Sequence, residues 1–137
     1  MKKILLVAGK GNHSGVPVYV NYCFKLLSKR FNVDVVGDKN EGGFSEIPNY
    51  IEIEGLSSDA SLLRKVLAFV SLYRLLKRSD YDFVWANSSF SVLFSRVLSL
   101  FFNYLLIVTY HGVPFGPGRK KLTSKVAFWV ERISIRF

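Results

Sequence analysis

A histidine placed directly after a buried strand can meet a ligand, and His111-Gly112 follows the apolar run Tyr104–Tyr110. There a side chain leaves the carboxyl edge of a sheet for the crevice beyond it, where a ring nitrogen can donate a hydrogen bond to a substrate or orient it. The same pair also suits an ordinary turn. Asn87-Ser88-Ser89 stands at the end of another predicted strand. Its amide and hydroxyls suit the hydroxyls of a sugar, or one of the serines caps the helix that follows. The third candidate is the loop Gly9-Lys10-Gly11-Asn12-His13-Ser14-Gly15-Val16. Between a strand and a helix start, its glycines let backbone N–H groups approach an anion at the positive helix end, and a diphosphate is the natural ligand; the alternative is a merely flexible loop.

Other chemistries find no support. The first loop is not a P-loop, because no Gly-Lys-Ser/Thr closes it, and no serine sits in a Gly-x-Ser-x-Gly elbow. The single cysteine, Cys23, falls inside an apolar helical pattern. It reads as a buried structural thiol, makes no internal disulfide, and leaves no metal cluster to expect. Gly9, Gly11 and Gly15 with Asp38 about twenty residues on give a weaker alternative, a dehydrogenase half-domain in which Asp38 would read a ribose.

The elements that must position these residues alternate. Strands are predicted over Lys3–Ala8, Asn32–Gly37, Tyr50–Glu54, Tyr81–Ala86 and Tyr104–Tyr110, and helices over Pro17–Arg30, from a Ser58 or Asp59 cap to Arg78, over Ser89–Phe102 and over Leu122–Arg136. The order β-α-β-β-α-β-α-β-α predicts an α/β, Rossmann-like three-layer domain with a mainly parallel sheet. Right-handed crossovers then bring loops 9–16, 87–89 and 111–118 to one sheet edge.

The chain of 137 residues is half hydrophobic and 21% charged, which predicts one folded domain over residues 1–137 and excludes disorder. Its net charge of +9 is uneven: residues 83–137 carry seven Lys or Arg against one acid, Glu131. Such a field suits an anionic partner, and the high hydrophobicity favours an anionic membrane surface over nucleic acid. The second helix carries Arg64, Lys65, Arg74, Lys77 and Arg78 beside Leu63, Val66, Leu67, Val70 and Tyr73. The tail adds Arg119, Lys120, Lys121 and Lys125. Because much of that apolar face is expected to cover the sheet, attachment would depend chiefly on charge. No signal peptide or spanning helix is expected; the longest apolar run is about 14 residues where a span needs about 20. The expected setting is cytoplasmic, with peripheral contact to the inner face of the membrane.

Taken together, Ser14-Gly15-Val16-Pro17-Val18-Tyr19, the strand Tyr81-Asp82-Phe83-Val84-Trp85-Ala86-Asn87-Ser88-Ser89, and Val108-Thr109-Tyr110-His111-Gly112-Val113-Pro114-Phe115-Gly116-Pro117-Gly118 resemble the N-terminal domain of retaining GT-B glycosyltransferases of family 4. The resemblance implies one half of a GT-B fold, with the nucleotide sugar held mainly by a second domain and the acceptor mainly by this one. It places Gly15 near the donor diphosphate, His111 at the transfer site, and Asn87, Ser88, Ser89 and Gly112 towards the acceptor. It implies a nucleotide-diphosphate sugar as donor, a lipid-linked or glycan acceptor, and neither metal nor other cofactor. Two positions depart from the family pattern: Gly15-Val16 stands for a double glycine, and Trp85 and Asn87 stand where histidines are frequent. The chain also stops before any donor-gripping domain. It is therefore expected to be inactive alone, as a fragment or as the partner of a separate donor-binding chain; the alternative is a stand-alone nucleotide- or phosphate-binding module without catalysis.

Overall fold

The computed structural model describes residues 1–111 together with Lys125, Phe128, Trp129 and Arg132. Gly112 and the other residues of loop 111–118 after His111, and the predicted last helix apart from those four residues, lie outside the described residues.

The elements run β1 (Lys3–Val7), α1 (Gly15–Leu27), β2 (Asn32–Gly37), β3 (Tyr50–Glu52), α2 (Leu62–Arg78), β4 (Phe83–Ala86), α3 (Ser89–Leu98) and β5 (Leu105–Val108). The five strands form one sheet in the order β3-β2-β1-β4-β5, and every pairing is parallel. Val7 is level with Val36 on one side and Ala86 on the other, so the carboxyl ends of β1, β2 and β4 are in line.

The run Ile4-Leu5-Leu6-Val7 has no polar residue because β1 is buried on both faces. Leu5 and Val7 join Val36, Val84, Ala68, Leu72, Leu76, Phe94 and Leu98 in a core roofed by α2 and α3. Ile4 and Leu6 join Val33, Val35, Val20 and Cys23 beneath α1. Full burial of one such side chain, Leu72 for example, contributes about 1.5–3 kcal/mol. Cys23 is a buried free thiol inside α1, where the sequence puts it.

All five predicted strands except β2 are shorter than expected by one to three residues, and α1 ends at Leu27 rather than Arg30. Three further boundaries differ for a visible reason. Helix α1 begins at Gly15 after an extended Ser14, not at Pro17; proline is tolerated anywhere in a first turn, whose N–H groups have no helical partner, so it does not mark the start. Helix α2 is capped by Ser61, which accepts from the Arg64 N–H at 3.4 Å, rather than by Ser58 or Asp59. The Asp59 carboxylate is instead paired with Lys10 and accepts from the Ser58 hydroxyl, and those contacts hold it below the usual carboxylate range. Helix α3 ends at Leu98, four residues early, closed by the Ser99 N–H on the Ser95 carbonyl at 2.9 Å.

The broad apolar face expected of α2 covers the sheet only in part, through Leu76 and Phe69. Ala68, Leu72 and Leu76 face it, with Phe69 and Leu75 at their side, whereas Leu62, Leu63, Val66, Leu67 and Val70 point outwards.

Candidate functional site

From β1 the chain runs to β2 and β3 on one side of the sheet, whereas β4 and β5 lie on the other, so the order switches between β1 and β4. Loops leaving the carboxyl ends of those two strands diverge and open a crevice there. A cleft of about 300 Å³ occupies this position, lined by Gly9, Lys10, Ser14, Asn87, Ser89 and His111 among others. Residues from three distant stretches of sequence therefore share one cavity.

The loop before α1 is held rather than loose. The Gly11 carbonyl accepts from the Glu41 and Gly43 N–H groups, both at 2.9 Å, and the Asp38 N–H donates to the Gly9 carbonyl at 2.9 Å. Gly11 has to be glycine, since a Cβ there would lie 2.3 Å from the Lys39 carbonyl oxygen. Gly15 differs: a Cβ at the first residue of α1 would meet no protein atom within 4 Å. The Ser14 side chain makes no capping bond, and the first turn of α1 has no acid. The helix thus offers the cleft N–H groups without an intrahelical partner, a free hydroxyl and a positive dipole end.

At the end of β4, Asn87 is buried. Its N–H donates to the Val7 carbonyl and its side-chain NH₂ to the Trp85 carbonyl, each at 2.9 Å. Its Oδ1 has no partner among the described residues. A buried amide oxygen without a donor is costly, and a hydroxyl reaching it from the cleft would satisfy it. Of the two readings of the serines, the cap applies to Ser88: its Oγ accepts from the Ser91 N–H at 3.3 Å and its own backbone N–H donates to the Ser91 Oγ at 2.8 Å, completing a capping box. Ser89 is exposed on the cleft.

His111 follows β5 at the cleft wall and is exposed. Its ring meets Tyr19 edge-on, with centroids 4.9 Å apart and planes at 70°. Tyr19 in turn meets Trp85 at 6.3 Å, and the Trp85 indole N–H donates to the Thr109 hydroxyl at 2.8 Å. Burial raises the Tyr19 hydroxyl above the ordinary tyrosine range, against the effect of a hydrogen bond from Thr109. Tyr19, Trp85 and Thr109 thus form a support for the histidine that spacing alone does not reveal.

Arg64, Arg74, Lys77 and Arg78 are exposed along α2. Lys65 turns elsewhere: its ammonium donates to the Ser58 carbonyl at 2.9 Å and lies 4.1 Å from the centroid of the Phe90 ring. Asp38 is also engaged, accepting from the Lys39 N–H at 2.7 Å and from the Gly55 and Ser57 N–H groups at 3.2 and 2.9 Å. Among the described residues, no group of three or more His, Cys, Asp or Glu could hold a metal ion.

Residues 13–137 match Glycosyltransferase Family 4. The chain belongs to that family. Over 77 residues, 56% of this family 4 chain and 20% of the relative, it is 31% identical to the UDP-Gal:alpha-D-GlcNAc-diphosphoundecaprenol alpha-1,3-galactosyltransferase of Escherichia coli. Its fold is similar to that of sucrose-phosphate synthase from Thermosynechococcus elongatus, with a TM-score of 0.76, 14% identity, and coverage of 100% of this chain and 41% of that one. It is also similar to HepE from Anabaena, solved with UDP and glucose, with a TM-score of 0.71, 13% identity, and coverage of 95% and 35%. The family 4 chain thus spans about a fifth of the curated relative and about two fifths of these solved chains. The fold expected from the sequence, one half of a GT-B architecture, is the fold found.

Proposed function

We propose that this family 4 chain is the acceptor-side half of a retaining glycosyltransferase, and that a donor-gripping half from a further domain or separate chain completes it. The donor is a nucleotide-diphosphate sugar. The acceptor is a sugar on a lipid diphosphate or a growing glycan at the inner face of the cytoplasmic membrane, and no metal or nucleic acid takes part. The observation that carries this reading is the convergence of Ser14 and Val16, the neighbours of Gly15, with Asn87, Ser89 and His111 on one cleft at the sheet switch point. The E. coli relative, which by its name moves galactose from UDP-Gal to a diphosphoundecaprenol-linked sugar, supports the choice of donor and acceptor class. HepE, solved with UDP and glucose, supports a nucleotide-sugar donor.

In this reading the unpaired N–H groups and dipole of α1 stabilise negative charge that grows on the leaving diphosphate. His111, held by Tyr19, donates a hydrogen bond to the sugar in transfer, and Asn87 Oδ1 accepts from an acceptor hydroxyl with Ser89 beside it. Gly112, outside the described residues, is assigned to the acceptor in the same reading. The stand-alone phosphate-binding module shares the α1 terminus but gives His111 no task.

Gly15→Ala separates fold from ligand. The added methyl meets no protein atom, and alanine is preferred to glycine in helices, so stability is expected to stay level or rise by at most about 1 kcal/mol. Nucleoside diphosphate binding, measured calorimetrically with the donor half present, is expected to weaken by roughly tenfold, about 1.4 kcal/mol. Unchanged affinity would contradict the placement of the diphosphate at α1.

A further inference from the structure

Helix α2 is apolar on two sides, and only one of them is used. Ala68, Leu72 and Leu76 face the sheet, while Leu63, Val66 and Leu67 are 70%, 53% and 56% exposed. At about 100° per residue, Leu63, Leu67, Val70, Arg74 and Lys77 fall within an arc of about 80°. One outward stripe therefore changes along its length from leucine and valine to arginine and lysine, with Arg78 beside the cationic end. The ends differ in position as well. Lys65 ties the first turn to Ser58 and Phe90, and both of those line the cleft. The apolar end is thus beside the cleft mouth and the cationic end lies away from it.

We propose that this stripe docks the domain on an anionic bilayer, with Leu63, Val66, Leu67 and Val70 in the acyl boundary and Arg74, Lys77 and Arg78 at lipid phosphates, so that the cleft mouth faces the membrane. The proposal rests on the preceding reading only in giving the cleft a lipid-linked acceptor to meet. Apolar burial and charge act together in such surface helices. Among the described residues no helix is long and apolar enough to cross the bilayer, so contact is at its surface. The 17 residues of α2 include five cations and no acid, which fits lipid phosphate. A second copy fits poorly. Parallel stripes would oppose like charges, and antiparallel stripes would bury cations against leucine. Residues 112–137 fit no better as a cover, because they carry six Lys or Arg against one acid. The structure thereby revises the expectation of attachment chiefly by charge: the apolar residues are free to insert.

The full chain is sedimented with vesicles of phosphatidylglycerol and phosphatidylcholine in equal parts, and with phosphatidylcholine alone. Binding to the anionic vesicles is expected, with added salt weakening it but not abolishing it. Leu63→Ser with Leu67→Ser is expected to reduce it at least about tenfold at every salt concentration, with an unchanged circular dichroism spectrum. Arg74→Gln with Lys77→Gln is expected to weaken the salt-sensitive part alone. In brominated-lipid vesicles, a tryptophan introduced by Leu63→Trp should be quenched more than one introduced by Lys77→Trp. Binding unaffected by the serine pair, the reverse order of quenching, or a dimer without lipid that the serine pair dissociates would overturn the proposal. Transfer to a water-soluble acceptor, with the donor half present, is read separately: an unsubstituted protein that transfers but does not bind anionic vesicles refutes the docking alone, and one that binds them but does not transfer refutes the site reading alone.

Discussion

Changing His111 to alanine is expected to lower sugar transfer by roughly a hundredfold to a thousandfold, the usual cost of removing one donor aimed at developing charge. The loss should fall mainly on kcat, since the histidine is assigned to the sugar in transfer rather than to ground-state binding. Stability should change little, because the ring is exposed and its one described ring contact, with Tyr19, is worth about 0.5–1.5 kcal/mol at most. His111→Gln, which keeps a side-chain N–H, should recover part of the rate. Steady-state kinetics with the donor half present check this. A rate within threefold of the unsubstituted protein would remove His111 from the transfer step.

Asp38→Ala is expected to act on stability. Its carboxylate holds three backbone N–H groups, two of them in the segment between β3 and α2, and alanine leaves all three without that acceptor. The expected loss is roughly 2–4 kcal/mol in urea unfolding, with Asp38→Asn milder because one acceptor oxygen is kept. The dehydrogenase reading predicts the opposite pattern: nicotinamide binding in the unsubstituted chain, lost in the alanine variant at unchanged stability. The hydrogen bonds favour the first outcome.

Asp38 also shows where the sequence stops being informative. An acid at the end of a second strand has the same letter and spacing whether it faces a ribose or ties down a loop, and only the positions of Gly55 and Ser57 decide. The convergence of Gly9–Gly15, Asn87–Ser89 and His111 was legible, because parallel strands with right-handed crossovers send every β-to-α loop to one sheet edge. β1 was legible too, since Ile4-Leu5-Leu6-Val7 has no polar residue to turn outwards. The α1 start was not, because Pro17 is as acceptable at the third helical residue as at the first.

The faces of α2 were hidden for another reason. Its apolar residues extend around most of the helix, so periodicity does not say which of them meet the sheet. The support of His111 by Tyr19 joins residues 92 positions apart, and no local pattern announces it. Nor does composition distinguish the buried, unpaired Oδ1 of Asn87 from the engaged hydroxyl of Ser88 one residue on.

Sugar transfer tests the central claim most directly. The 137 residues are purified and offered a panel of nucleotide sugars with a prenyl-diphosphate-linked sugar as acceptor, first alone and then with a family 4 donor-binding half on the same or a separate chain. The predicted result is no turnover above blank for the 137 residues alone and turnover, abolished by His111→Ala, once the donor half is supplied. Turnover by the 137 residues alone would contradict the claim that this chain is the acceptor-side half of a two-part site.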